Sequence, residues 1–271
     1  MRTAWFTATL LIAVLFTSTA IADLRRLTLR QDLLGWEAVG RVDLGGRSGY
    51  CTGALISTTL VLTAAHCVYE NGEPRDPGVL TFYAGDIDGE AIATRGVARV
   101  SVHSDYAPVA TATAHSVRHD VALLELDTPI PAATADPFAI SGPAFAYRGG
   151  VSVVSYAAGR SRALSWERGC NVIGRQDGLL AFDCDVYYGS SGAPVFDDSQ
   201  SPARLISIIS AGHRADDGTV SFGMELPRIV EALKRNLRTG DNVWPEISNA
   251  GARRLSASSE RSSTGALFLK P

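Results

Sequence analysis

Leu62-Thr63-Ala64-Ala65-His66-Cys67 sets the frame in which the rest of the chain is read. A short apolar run, Leu60 to Leu62, gives way to small residues, then a histidine, then a cysteine. A lone histidine is more often structural than catalytic. Here it follows the expected end of a strand, and a disulfide at Cys67 would fix its backbone. Just upstream, Cys51-Thr52-Gly53-Ala54-Leu55-Ile56 forms another apolar run headed by a cysteine. The chain has four cysteines, which allow three connectivities and fall as two local pairs, Cys51 with Cys67 and Cys170 with Cys184. Closing loops of about 15 residues would contribute roughly 3 kcal/mol each in the chain-entropy model. A zinc site is the alternative, but no C-x-x-C and no paired histidine spacing accompanies the cysteines.

Further out, the apolar residues recur in short runs broken by turn residues: Val79 to Tyr83, Val121 to Leu126, Val151 to Tyr156, Gly178 to Phe182, Leu205 to Ile209 and Val220 to Met224. Their Val, Ile and aromatic content suits strands, and many short strands with Gly-rich turns indicate an all-β sandwich or barrel. Only Pro227 to Leu237 has helical spacing, with Ile229, Val230, Leu233 and Leu237 on one face and Gly240 just past the end. After it, residues 241–271 turn Ser- and Arg-rich and lose periodicity, so a mobile tail is expected.

The 271 residues carry 46% hydrophobic and 20% charged side chains, enough to bury a core and unlike a disordered or fibrous chain. A net charge of −3 gives no electrostatic reason to expect a nucleic-acid partner. Arg2, the apolar residues 4–16 and the Ala20-Ile21-Ala22 site read as a secretory signal peptide over residues 1–22, cleaved near Ala22. That apolar run is shorter than the roughly 20 residues a spanning helix needs. Export to the periplasm or medium is expected, with no membrane span in the mature chain. An oxidising compartment also suits paired cysteines.

Two more stretches concentrate chemistry. In His119-Asp120-Val121-Ala122-Leu123-Leu124-Glu125-Leu126 an aspartate opens a buried strand, and in Gly189-Ser190-Ser191-Gly192-Ala193-Pro194 a hydroxyl sits among small residues. Each alone is a weak signal, since Asp before a strand and Ser in a Gly-rich turn are common. Together with Leu62–Cys67 they resemble the chymotrypsin-like (trypsin-fold) serine peptidases, in that family's order of His, Asp, Ser. Cys51–Ile56 resembles the strand before the histidine, and Ser210-Ala211-Gly212 the strand edge that binds substrate backbone. The likeness runs over roughly residues 38–237.

The resemblance implies two antiparallel six-stranded β-barrels with a C-terminal helix: residues 23–35 as an N-terminal segment, 36–130 as the first barrel, 131–237 as the second with the helix, and 238–271 as tail. Pro129 to Pro137 would link the barrels, with the active site in the cleft between them. It implies Ser191 as nucleophile, His66 as general base and Asp120 as the group orienting the imidazole. The N–H groups of Gly189 and Ser191 would form the oxyanion hole. Ser210 and Gly212 would bind substrate backbone, and Asp185 would lie at the base of the S1 pocket and favour Arg or Lys. The equally weighted alternative makes Asp185 a scaffold residue. Preference for Glu would instead draw on His213 and Arg214. The expected partners are protein or peptide substrates of a monomer that needs no cofactor and no metal. A catalytically silent, protease-like binding protein and a thiol nucleophile at Cys67 are the competing readings.

The chain also departs from the family pattern. Many relatives carry Asp before the nucleophile, where it pairs with a new N-terminal amine after activation; here that residue is Ser190, and no Ile-Val-Gly-Gly segment lies between Asp23 and Tyr50. In this the chain is similar to the bacterial glutamyl-endopeptidase branch. Signal removal, with or without trimming of residues 23 to about 35, is expected to suffice for activity. His103, His115 and His119 read as surface loop residues, Asp216 and Asp217 as a turn or a calcium loop, and Trp166 and Arg168 as an exposed loop.

Overall fold

The short apolar runs pair into two closed barrels. The computed structural model describes residues 23–46, 49–142, 150–199, 201–215 and 218–245. The expected signal peptide, Asp216, Asp217 and residues 246–271 lie outside them. After β1 (Asp23–Leu27), the first barrel comprises β2 (Val39–Asp43), β3 (Tyr50–Ser57) and β4 (Leu60–Thr63). A small hairpin of β5 (Tyr69–Glu70) and β6 (Glu73–Pro74) precedes its remaining strands, β7 (Thr81–Ala84), β8 (Ala93–Val102) and β9 (Ala122–Leu126). The sheet runs β8-β7-β2-β3-β4-β9, and β9 pairs back onto β8 to close it. Alternation does the sorting: Phe82 and Ala84 point into the barrel while Thr81 and Tyr83 are half-buried.

The second barrel is built from β10 (Gly150–Ser155), β11 (Leu164–Gln176), β12 (Leu179–Phe182), β13 (Pro194–Asp197), β14 (Arg204–Ala215) and β15 (Gly218–Met224), in the order β11-β10-β13-β14-β15-β12, closed by β11 on β12. The two six-stranded antiparallel barrels are those the sequence resemblance implied. Each gains one outer strand: β1 pairs with β11, Asp23 opposite Arg168 through Leu27 opposite Leu164, and β16 (Val243–Trp244) pairs with Val100 and Ser101 of β8. The first part of the expected tail is therefore sheet. Val243 is buried there, and Trp244 Nε1 donates to the Arg75 carbonyl at 2.8 Å.

Two helices complete the chain, α1 (Ala114–His119) and α2 (Pro227–Thr239). α2 buries Val230, Leu233 and Leu237, starts on proline and stops at Gly240, whose φ of +86° suits a glycine. It leaves the second barrel to pack on the first, where Arg99 Nη1 donates to the Leu237 carbonyl at 3.1 Å. α1 was not expected; the Thr113 hydroxyl caps it by accepting the Ser116 N–H at 3.1 Å, and His115 and His119 belong to it and not to a loop. Trp166 and Arg168 likewise lie in strand β11. Trp166 sits 5.0 Å from Trp36, and the Arg168 guanidinium lies 4.8 Å from the centre of the Trp166 ring.

The barrels are joined by an apolar seam. Trp36 meets Trp166, Phe138 and Phe196, while the Pro129–Pro137 segment buries Ile130 and Ala135. Phe138 N–H then reaches the Leu55 carbonyl at 2.9 Å and Ser141 N–H the Leu205 carbonyl at 2.8 Å, so the linker is stitched to both barrels. Among the described residues no helix is long and apolar enough to cross a membrane.

Candidate active site

His66 leaves the end of β4 in a short 3-10 turn, Ala65–Val68, that the Cys51–Cys67 disulfide ties to β3. Asp120 follows α1 directly and is 4% exposed. The pairing of Thr63 with Ala122 brings these two strand ends together. Three donors converge on the buried carboxylate: His66 N–H on Oδ1 at 2.7 Å, His66 Nδ1 on Oδ2 at 2.7 Å, and the Ser210 hydroxyl on Oδ2 at 2.6 Å. Because the carboxylate takes the Nδ1 proton, Nε2 is the nitrogen left to act as a base. Burial pulls the imidazole pKa down, but the charge and hydrogen bond of Asp120 outweigh it, and the net shift is upward.

Ser191 comes from the turn between β12 and β13, and the first barrel holds that turn in place. Thr52 N–H donates to the Ser191 carbonyl at 2.8 Å, and Thr52 Oγ1 donates to the Gly189 carbonyl at 2.7 Å while accepting Tyr156 N–H at 3.1 Å. Gly189 has φ +88° and Gly192 φ +76°, conformations that L side chains resist. The N–H groups of Gly189 and Ser191 have no hydrogen-bond partner among the described residues, so both remain free to donate. No hydrogen bond joins Ser191 Oγ to His66 there, and catalytic hydrogen bonds of this type are often long before substrate arrives. Ser190 is buried, its hydroxyl 3.1 Å from that of Ser155.

A cavity of about 250 Å³ is lined by His66, Tyr106, Ala110, Asp120 and Ser210. On its far side, Gly212 and the exposed His213 line another of about 500 Å³ with Ala112, Leu179 and Phe222. Asp185 accepts from Thr219 Oγ1 at 3.2 Å, stands 4.0 Å from Arg160 Nη1, and donates its own N–H to Glu167 Oε1 at 2.7 Å. Val186 comes closest to Gly212, where a Cβ would meet its Cγ2 at 2.8 Å. Burial pushes the Glu167 carboxyl up to about 7. Cys170 and Cys184 form the second disulfide, so both local pairs exist, and Cys67 holds no free thiol.

Sequence reasoning missed three contributors. Thr52 had no signal of its own, since its partners are more than a hundred residues away. Ser210 was singled out for its backbone, yet its hydroxyl reaches Asp120 across 90 positions. Glu167 sat in a stretch read as loop.

Residues 51–202 match the family model described as a trypsin-like peptidase domain. The chain is 30% identical over 176 residues to "Serine protease SP24D" of Anopheles gambiae, an alignment covering 60% of each protein. It is 26% identical over 163 residues to "Glutamyl endopeptidase" of Bacillus licheniformis, covering 59% of this chain and 49% of that one. The chain thus spans between about half and three fifths of the length of these two curated relatives. A solved structure of a Glu endopeptidase in complex with MPD superposes with a TM-score of 0.64 at 19% identity, covering 82% of this chain and 98% of the other. Protease Anisep from Arthrobacter nicotinovorans gives 0.60 at 16% identity, covering 73% and 93%. These two structural likenesses speak to the fold. With its matched domain spanning more than half of the sequence, the chain belongs to the trypsin-like peptidase family.

Proposed function

We propose that the protein is an exported serine endopeptidase that hydrolyses peptide bonds through an acyl-enzyme. The observation that carries this reading is the buried Asp120 carboxylate, held by two donors of His66 and by the Ser210 hydroxyl. A serine hydroxyl is a poor nucleophile at neutral pH, so His66 Nε2 takes the proton of Ser191 Oγ as the oxygen attacks the substrate carbonyl. Asp120 keeps the imidazole in the tautomer that leaves Nε2 free and stabilises the imidazolium without taking the proton. The oxyanion forms against the N–H groups of Gly189 and Ser191, and losing one such donor costs about 10²- to 10³-fold in rate. His66 returns the proton to the leaving amine, and water then releases the acyl group by the same steps reversed.

Substrate backbone runs along Ser210 and Gly212. The expected P1 residue is Arg or Lys facing Asp185, with selectivity softened because Arg160 and Thr219 also draw on that carboxylate. The two disulfides suit an oxidising compartment and support export, with the leader over residues 1–22 removed near Ala22. Labelling of the purified mature chain by a fluorophosphonate probe is the test. Labelling abolished by both Ser191→Ala and His66→Ala is expected. Absence of labelling in folded wild-type protein would favour the catalytically silent binding protein. A P1 library showing acidic preference would overturn the role of Asp185.

A further inference from the structure

We propose that His103, Asp105 and His119 form a binding site for a divalent transition-metal ion, on the flank of the segment that carries Asp120. The site is assembled by strand register. Val102 pairs with Ala122, and His103 N–H reaches the Val121 carbonyl at 3.4 Å, so the residue after β8 and the residue ending α1 become neighbours although sixteen positions apart in the sequence. The His103 and His119 ring centres are 4.6 Å apart, His119 Nε2 lies 4.0 Å from Asp105 Oδ2, and one ligand atom of each residue lies within 4.8 Å of the others. Tetrahedral bonds of about 2.0–2.1 Å to nitrogen and oxygen put ligand atoms about 3.3 Å apart. Rotation of Asp105, whose side chain is 62% exposed, suffices to close most of the difference.

His119 is already set as a ligand. Its Nδ1 bonds the His115 carbonyl at 3.0 Å, which turns the lone pair of Nε2 toward Asp105, the orientation that metal-binding histidines receive from an outer hydrogen-bond partner. His103 Nδ1 accepts Asp105 N–H at 3.1 Å; that bond would be exchanged for the metal, and water can take over the exposed N–H. Two imidazoles and one carboxylate, with water completing the shell, suit zinc and its neighbours better than calcium or magnesium, which want oxygen ligands. Arg118 lines the adjoining cavity of about 460 Å³ together with both histidines, a further reason for nitrogen bonding and not simple charge to select the ion.

The ion would tie the turn carrying Tyr106 to the segment carrying Asp120, two residues that line the same cavity beside His66. The proposal does not depend on peptidase activity, because uptake is read without turnover. Metal-free mature chain would be titrated with Zn²⁺ by calorimetry and with Co²⁺ by visible absorption. One Zn²⁺ per chain is expected, with a Co²⁺ spectrum of low coordination number. His119→Asn and Asp105→Asn should each weaken Zn²⁺ binding by more than the 10- to 100-fold that losing an outer hydrogen-bond partner costs. His66→Ala should leave it unchanged. Asp105→Asn changes an exposed side chain, and unchanged circular dichroism would confirm that the variant folds. The proposal is overturned by no saturable uptake, by uptake indifferent to His119→Asn and Asp105→Asn, or by uptake lost with His66→Ala.

Discussion

Ser210→Ala removes one of the three hydrogen bonds that hold Asp120, a 2.6 Å contact to a carboxylate that is 4% exposed. A hydrogen bond to a charged group contributes about 1.5–3 kcal/mol. It also fixes the orientation in which that carboxylate meets the imidazole through the reaction. Losing it lowers kcat/KM by about 10- to 150-fold, since each 1.36 kcal/mol is a decade in rate. The sign of the pH effect follows from the same contact. Burial lowers the His66 pKa, Asp120 more than offsets it, and the net value lies above the ordinary 6.5. His66 acts as a base only when neutral, so activity is lost as pH falls through that raised value. A carboxylate with one donor fewer holds the imidazolium harder, and the acid limb of kcat/KM therefore moves to higher pH in the variant. Rates on a chromogenic peptide across the pH range measure both effects. An unchanged kcat/KM, or an acid limb displaced to lower pH, would refute the reasoning.

Gly192→Ala should be among the most disruptive single-methyl changes: φ is +76°, and a Cβ would collide with Thr52 O and Thr63 Oγ1 and lie 2.8 Å from Ala64 N. Left-handed strain of about 1–2 kcal/mol and overpacking of about 1–3 kcal/mol predict a loss of about 2–5 kcal/mol, read as a lower urea midpoint; a wild-type midpoint contradicts it. Glu167 is 3% exposed, with its carboxyl raised from 4.5 to about 7, so its stabilising contribution is full below 4.5 and is lost as pH rises through about 7. That loss is on the order of 3 kcal/mol by pH 8. Glu167→Gln keeps an acceptor for Asp185 N–H and should flatten the fall in Tm between pH 5 and 8; an equally steep fall counts against it. Deleting residues 23–27 exposes one edge of β11 and removes Leu27, which is 1% exposed, and should cost at least about 2 kcal/mol in chemical unfolding. Unaltered stability would mean that β1 is dispensable.

The strands that were legible in the sequence are those buried on both faces, such as Ala122–Leu126 and Gly150–Ser155, where mostly apolar residues, broken by Glu125 in one and Ser152 in the other, announce them. β11 was hidden because it is long and half-exposed, alternating Trp166, Arg168 and Asn171 with the buried Glu167 and Cys170, and because a bulge between Val151 and Val153 of its partner breaks the period. α1 was hidden by its length of 6 residues, too short for a repeating apolar face, so only the Thr113 cap could have marked it. His66, Asp120 and Ser191 could be singled out in the sequence because each lies in a distinctive local stretch. The groups around them were not, since Thr52 and Ser210 reach the Ser191 turn and Asp120, and Glu167 reaches Asp185, through contacts between segments that only the closed barrels bring together.

Ser190 shows what such contacts do for activation. Its side chain is 1% exposed, and among the described residues it hydrogen-bonds the Ser155 hydroxyl at 3.1 Å and the Tyr187 N–H at 3.4 Å. An ammonium inserted beside it would find a hydroxyl and not a carboxylate on Ser190, and burying an unpaired charge costs several kcal/mol. The N-terminal residues Asp23–Leu27 are meanwhile engaged along β11 on the outside of the second barrel. The turn bearing Gly189 and Ser191 is held from the first barrel by Thr52 on both carbonyls, and from β14 of its own barrel by Gly192 N–H on the Ile209 carbonyl at 2.7 Å. All of these partners are uncharged. With Ser190 where a carboxylate would be needed, Thr52, on the first barrel, supplies hydrogen bonds that hold this turn.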